Sequence, residues 1–122
     1  MPFAPANAII YFWSRSMPKY LALASYTSEG IRGLTKAGGA SRRAVVEKLL
    51  RSLGGRLEAF YFAFGDNDAY LIIDVPDNLT AAAISLAVAG AGATRMKTIE
   101  LLTPEEIDKA MEKHVDYSPP GT

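Results

Sequence analysis

An α+β domain, an antiparallel sheet covered by helices on one face, is predicted by three observations. The first is a hairpin pattern: Arg56–Gly65 (RLEAFYFAFG) and Asp68–Val75 (DAYLIIDV) flank Asp66-Asn67, and both residue types tolerate the positive φ of a tight primed turn. The second is the order of apolar patterns along the chain: strand, helix, strand, strand, helix, strand and a terminal helix. The third is a sorting of bulk within the strands, with Phe, Leu and Ile at alternate positions and Tyr and Ala between them.

Pairing about Asp66-Asn67 sets Phe64 opposite Ala69, Phe62 opposite Leu71 and Phe60 opposite Ile73. Opposed residues share a face. One face therefore carries Phe60, Phe62, Phe64, Leu71, Ile73 and Val75, and reads as the core. The other carries Ala59, Tyr61, Ala63, Tyr70 and Ile72, with Asp68 and Asp74 towards its ends. Lys19–Thr27 (KYLALASYT) is a further strand in which Leu21 and Leu23 alternate with Tyr20, Ala22, Ala24 and Tyr26. By the same sorting, its leucines join the core face and its tyrosines join Tyr61 and Tyr70.

Thr27-Ser28-Glu29 has the hydroxyl cap and early acid of a helix start. Gly30, Gly33 and Gly38-Gly39 limit that helix to one or two turns. Ser41–Leu53 is a firmer helix: Val45, Val46, Leu49, Leu50 and Leu53 make one stripe. Its charges read as a solvated face, with Arg43, Glu47 and Arg51 spaced for ion pairs, and Gly54-Gly55 ends it. After the hairpin, Asp77-Asn78 caps Leu79–Ala91, a helix apolar almost all round and so expected to be covered on more than one side, by the C-terminal helix or a neighbouring subunit. Thr94–Leu102 is an edge strand, where Arg95, Lys97 and Glu100 discourage stray pairing. Thr103-Pro104-Glu105-Glu106 is a capping box with Pro at the first helical position. Ile107, Ala110, Met111 and His114 form the stripe of the last helix.

Length and charge bound the function. The chain has 122 residues, enough for one core, with 13 basic and 13 acidic side chains that cancel. That balance gives no electrostatic footprint for nucleic acid or an anionic membrane. With no cysteine, disulfides and sulfur-ligated zinc are excluded, and a cytoplasmic setting is the default expectation. Residues 1–16 read as an N-terminal extension with an apolar Ile9–Trp13 stretch and no signal-peptide pattern. Residues 17–114 form the domain and 115–122 a flexible tail.

The order βαββαβ plus one helix is the ferredoxin-like arrangement of two split βαβ units. Nothing in the chain is left to cover the Tyr/Ala face, so two sheets are expected to meet there as a dimeric α/β barrel. The stretches YLALASYTSEGIRGL, RRAVVEKLLRSLGGRLEAFYFAFGDNDAYLIIDVPDN and ATRMKTIELLTPEE resemble the GYD domain family, small proteins of largely unassigned function, from Met17 to about Glu112. The resemblance implies a ferredoxin-like fold and oligomerisation, without an activity. Of a Gly-Tyr-Asp signature at the turn, this chain has Gly65 and Asp68 but Asn67 in place of the Tyr.

His114 is the only histidine, which excludes a histidine triad or a multi-histidine metal site within one protomer; it reads as a packed or dipole-compensating residue. Asp66-Asn67-Asp68 lacks the further ligands of a calcium loop and reads as turn chemistry. No metal and no cofactor is expected. The ligand-binding candidates are Tyr20, Tyr26, Tyr61, Asp68 and Tyr70, with Arg95 and Lys97 at the strand edge. A small apolar or aromatic metabolite on the tyrosine face is the primary reading. The alternatives are a cofactor-independent oxygenase or isomerase using the same cavity, and a metabolite-sensing regulatory domain.

Overall fold

β1 (Lys19–Tyr26) leads into α1 (Ser28–Ala37) and α2 (Gly39–Ser52), followed by β2 (Arg56–Phe62) and β3 (Ala69–Asp74). Then come α3 (Asn78–Ala91), β4 (Thr94–Leu101) and α4 (Pro104–Met111). This is a computed structural model that describes residues 17–122. The expectations for the extension, with its Ile9–Trp13 stretch, lie outside the described residues. The strands form one antiparallel sheet in the order β2-β3-β1-β4. Four helices and this sheet are compatible with a ferredoxin-like fold.

The helix starts follow their caps. Thr27 Oγ1 accepts from the Gly30 N–H at 3.1 Å, and Asp77 Oδ1 accepts from the Thr80 N–H at 2.8 Å. Thr103 and Glu106 close the reciprocal capping box ahead of α4. α1 is longer than its glycines suggest. Gly30 is buried, and a Cβ there would sit 2.1 Å from the Ala93 carbonyl oxygen. This glycine serves a close approach of α1 to the start of β4. The break between α1 and α2 comes at Gly38, whose φ of 95° favours glycine. At the end of α2 the Gly55 N–H reaches Leu50 O and the Gly54 N–H reaches Arg51 O, a Schellman closure.

The hairpin register is displaced by two residues from the expected one. Phe62 pairs with Ala69, Tyr61 with Tyr70 and Phe60 with Leu71, so the connection runs from Ala63 to Asp68. Asp68 explains the displacement. Its N–H donates to Ala24 O at 2.8 Å and its carboxylate accepts from the Tyr26 N–H at 2.8 Å. Both draw it onto β1 and out of the turn. A shift of two preserves the faces, so Phe60, Phe62, Leu71 and Ile73 stay on the helical side. Phe64 falls in the loop and is fully exposed, contrary to its expected place in the core. A bulge between Leu57 and Ala59 shifts the far end of β2.

β1 is turned over relative to the expectation. Tyr20 pairs with Ile73, Ala22 with Leu71 and Ala24 with Ala69. Its tyrosines and alanines therefore face the helices, and Leu21 and Leu23 face the open side. A strand with apolar groups on both sides carries no internal mark of which side is covered. The core comprises Tyr20, Ala22, Ala24, Leu50, Leu71, Ile73, Val75 and Ile84, with Phe60, Val46, Val88 and Met96 packed around them. α2 lies over β2 and α3 over β4.

Two helices keep apolar surface uncovered. On α3, Leu79 and Leu86 are exposed, so among the described residues this helix is covered on one side only, through Ala81 and Ile84. α4 has no buried residue, and Leu102, Ile107 and Met111 are exposed. The helix ends at Met111, leaving His114 beyond its stripe. Among the described residues the ion pairs join Lys19, Arg56, Glu58 and Asp74, and the spaced charges of α2 form none.

Candidate functional site

The open side of the sheet is ordered in rows that cross all four strands. The first row is Tyr61, Tyr70, Leu23 and Lys97; the second is Ala59, Ile72, Leu21 and Ile99. The third is Arg56, Asp74, Lys19 and Leu101, and Arg95 stands opposite Ser25 at the far end of β4. Tyr61 is 71% exposed, Tyr70 37% and Ile99 47%. An apolar band thus runs across a face that none of the described helices covers.

In the third row, Asp74 is buried between two cations. Its carboxylate accepts from Lys19 Nζ at 2.8 Å and from Arg56 Nε at 2.9 Å, and Lys19 also pairs with Glu58. Partial burial works against the Lys19 charge. The hydrogen bonds to Asp74 and Glu58 and their negative charges outweigh it, so the Lys19 pKa lies above the usual lysine value.

The expected grouping of Tyr20, Tyr26, Tyr61 and Tyr70 on one face is therefore divided. Tyr61 and Tyr70 are neighbours on the open side, with Lys97 across the sheet and Arg95 beyond it. Tyr20 is 4% exposed on the helical side, and its hydroxyl donates to Asn78 Oδ1. Burial pushes its pKa up, helped by the charges of Glu100 and Asp77. Asp68 has its carboxylate committed to the β1 backbone. Tyr26 also faces the helices, at the rim of a cavity.

That cavity lies on the covered side of the sheet, where α2 and α3 sit apart over β1. Ala22 and Ala24 form its floor, and small side chains beneath the gap leave space open. A narrow apolar cleft of about 60 Å³ is bounded there by Val46, Leu50, Phe60, Ile84 and Met96. It adjoins a groove of about 440 Å³ between α1, the first turn of α2 and the start of β4. Glu29, Gly33, Leu34, Ser41 and Val45 are among the groove's walls. Three residues border both spaces: Tyr26, Arg42 and Thr94.

The hub at Thr27 fixes two walls of the groove to each other. Its N–H donates to Ala93 O at 3.0 Å, and its hydroxyl lies 3.1 Å from Gly92 O while capping α1. The groove and cleft together have the form of a small-molecule site, a concave and largely apolar space with a few converging polar groups. Arg42 and Thr94 did not stand out in the sequence reading. The signal available for Arg42 was its place beside Arg43 in the first turn of α2, which holds no acid and where the helix dipole disfavours cations. Thr94 carries no comparable mark.

Among the described residues, no group of three His, Cys, Asp or Glu side chains is placed to hold a metal ion. No described helix is long and apolar enough to cross a membrane. No curated protein and no solved structure matches the sequence. The family model of the GYD domain matches residues 20–111, which takes in all four described helices and, but for Lys19 at the start of β1, all four described strands, and the chain belongs to the GYD domain family.

Proposed function

We propose that this protein binds a small, largely apolar organic molecule in the groove between α1, α2 and β4, and does so as a homodimer joined through its open sheet faces. The observation that carries the binding reading is the groove of about 440 Å³ opening onto an apolar cleft. Its volume falls within the range of ordinary small-molecule sites. The 60 Å³ cleft has room for about two waters. The body of the ligand therefore sits in the groove, and the cleft admits at most a slender apolar group between Ala22, Ala24 and Phe60. The site expected on the tyrosine face moves to the other side of the sheet.

Self-association is supported by the uncovered apolar rows. Four strands about 4.8 Å apart and about 25 Å long present roughly 500 Å², against ~800 Å² per partner in a standard interface. Leu102, Ile107 and Met111, which follow β4 directly in the chain, supply further exposed apolar surface. A net charge of zero opposes no second copy.

The binding test is an NMR titration of the intact protein with a panel of small aromatic and aliphatic compounds, repeated on Gly33→Leu. Gly33 borders the groove, and a Cβ there meets nothing within 4 Å, so a larger side chain fills the groove and leaves the helix in place. Shifts confined to groove residues and lost in Gly33→Leu are the expected result. Shifts that map to Tyr61 and Tyr70 would overturn the location. For assembly, the mass by light scattering is expected at twice the 13.1 kDa chain. Leu23→Asp is expected to return it to one chain.

A further inference from the structure

Tyr26, Arg42 and Thr94 stand where the wide groove meets the apolar cleft. Thr94 is 6% exposed. Buried polar side chains are ordinarily paired. Among the described residues no buried side-chain nitrogen or oxygen lacks a partner, and the Thr94 hydroxyl, the Tyr26 hydroxyl and the Arg42 guanidinium, which enter no side-chain hydrogen bond or ion pair there, open onto the cavity instead. The contrast within the same molecule is sharp. Tyr20 on the same strand face finds Asn78, Thr98 finds Ser85, and Lys19 and Arg56 find Asp74. The three side chains that border both spaces have no such partner among the described residues.

The chemistry of these groups specifies the partner they lack. The guanidinium can only donate, through a planar fork that matches a carboxylate, and the hydroxyls each add a donor. The cleft beyond them is almost wholly apolar, with Val46, Leu50, Phe60, Ile84, Val88 and Met96 in its wall. Glu29, the only carboxylate on the groove's lining, lies beyond ion-pair distance of Arg42. Among the described lining residues, one cation beside that single acid suits a ligand with one negative charge and disfavours a phosphate dianion.

We infer that the groove takes an apolar monocarboxylic acid, its carboxylate held by Arg42, Tyr26 and Thr94 at the mouth of the cleft and its apolar body lying along the groove. This rests on the reading that the groove is a binding site, and adds the charge and polarity of what binds.

The test uses the full chain and matched probes: 3-phenylpropionate and hexanoate, each beside its neutral primary amide, titrated by NMR. Wild type is expected to bind at least one acid tenfold or more tightly than its amide. Arg42→Gln is expected to bring acid and amide to equal affinity without losing the amide, and Arg42→Lys to restore part of the preference. Arg42 is partly exposed on the first turn of α2, and an unchanged amide affinity shows that the groove is intact. An amide that binds wild type as well as its acid, or a preference that survives Arg42→Gln, overturns the inference and leaves the groove as an apolar site. Absence of binding by every probe overturns both the inference and the reading beneath it.

Discussion

Two glycines on α1 allow a sharp test of how the groove is held together. Gly30→Ala and Gly33→Ala both replace a helix-interior glycine, and each gains up to about 1 kcal/mol from helix propensity. At Gly33 nothing opposes that gain, because the new methyl meets no atom within 4 Å. At Gly30 the methyl would lie 2.1 Å from the Ala93 carbonyl oxygen. A carbon–oxygen contact relaxes only at about 3.3 Å or more, so α1 and β4 must separate by about 1 Å. The oxygen in the way is backbone, and it already accepts from the Thr27 N–H at 3.0 Å. Overpacking of this kind costs about 1–3 kcal/mol, and a strained hydrogen bond adds about 1 kcal/mol. After the propensity gain, Gly30→Ala is expected to lose about 2 kcal/mol and Gly33→Ala to gain about 0.5–1 kcal/mol. Urea unfolding of both variants, with unchanged slopes, reads this directly. A Gly30→Ala midpoint at or above wild type would show that α1 does not dock on Ala93 and that the groove wall is misplaced.

Leu50→Ala, at a side chain 1% exposed, is expected to cost about 3 kcal/mol in the same assay. Asp68→Asn weakens the bond to the Tyr26 N–H and is expected to lower stability by about 1 kcal/mol, with probe affinity in the NMR titration unchanged if Asp68 serves β1 alone. Lys19 and Tyr20 both have folded pKa values above their ordinary 10.5 and 10.0. The native state therefore holds these protons more tightly than the unfolded chain. Their contribution is complete below about pH 10 and is lost as pH rises through the folded values, so the urea midpoint is expected to fall on the alkaline side and to fall less in Tyr20→Phe. Asp77 has the opposite sign: the Thr80 N–H and hydroxyl lower its pKa below 3.8. Its contribution is present above that value and is lost as pH falls, so Asp77→Ala is expected to flatten the acid limb of the stability curve.

The elements themselves were legible because their ends carry local chemistry. Thr27, Asp77 and the Thr103–Glu106 box mark helix starts by hydrogen bonds within three residues, and such signals need no knowledge of the rest of the fold. The division of the hairpin into a Phe/Leu/Ile side and a Tyr side also survives in the structure. What was not legible depends on contacts distant in sequence. Asp68 is pulled onto β1 by Ala24 and Tyr26, which lengthens the loop and strands Phe64 in solvent. The orientation of β1 depends on which of two apolar sides meets the helices, and alternation alone leaves that choice open. The groove was hidden for the same reason. It is made where Gly30 approaches Ala93, the adjoining cleft by two alanines beneath separated helices, and a sequence pattern does not display empty space.

Alternation along β1 has a consequence for how this molecule can be altered. Ala22 and Ala24 floor the cavity, while Leu21 and Leu23, their immediate neighbours, look out from the opposite surface. Residue parity along one eight-residue segment thus sorts substitutions into two groups. Even-numbered changes reshape what the chamber can admit, and odd-numbered ones change what the bare surface can meet, with only the thickness of a single peptide layer between them.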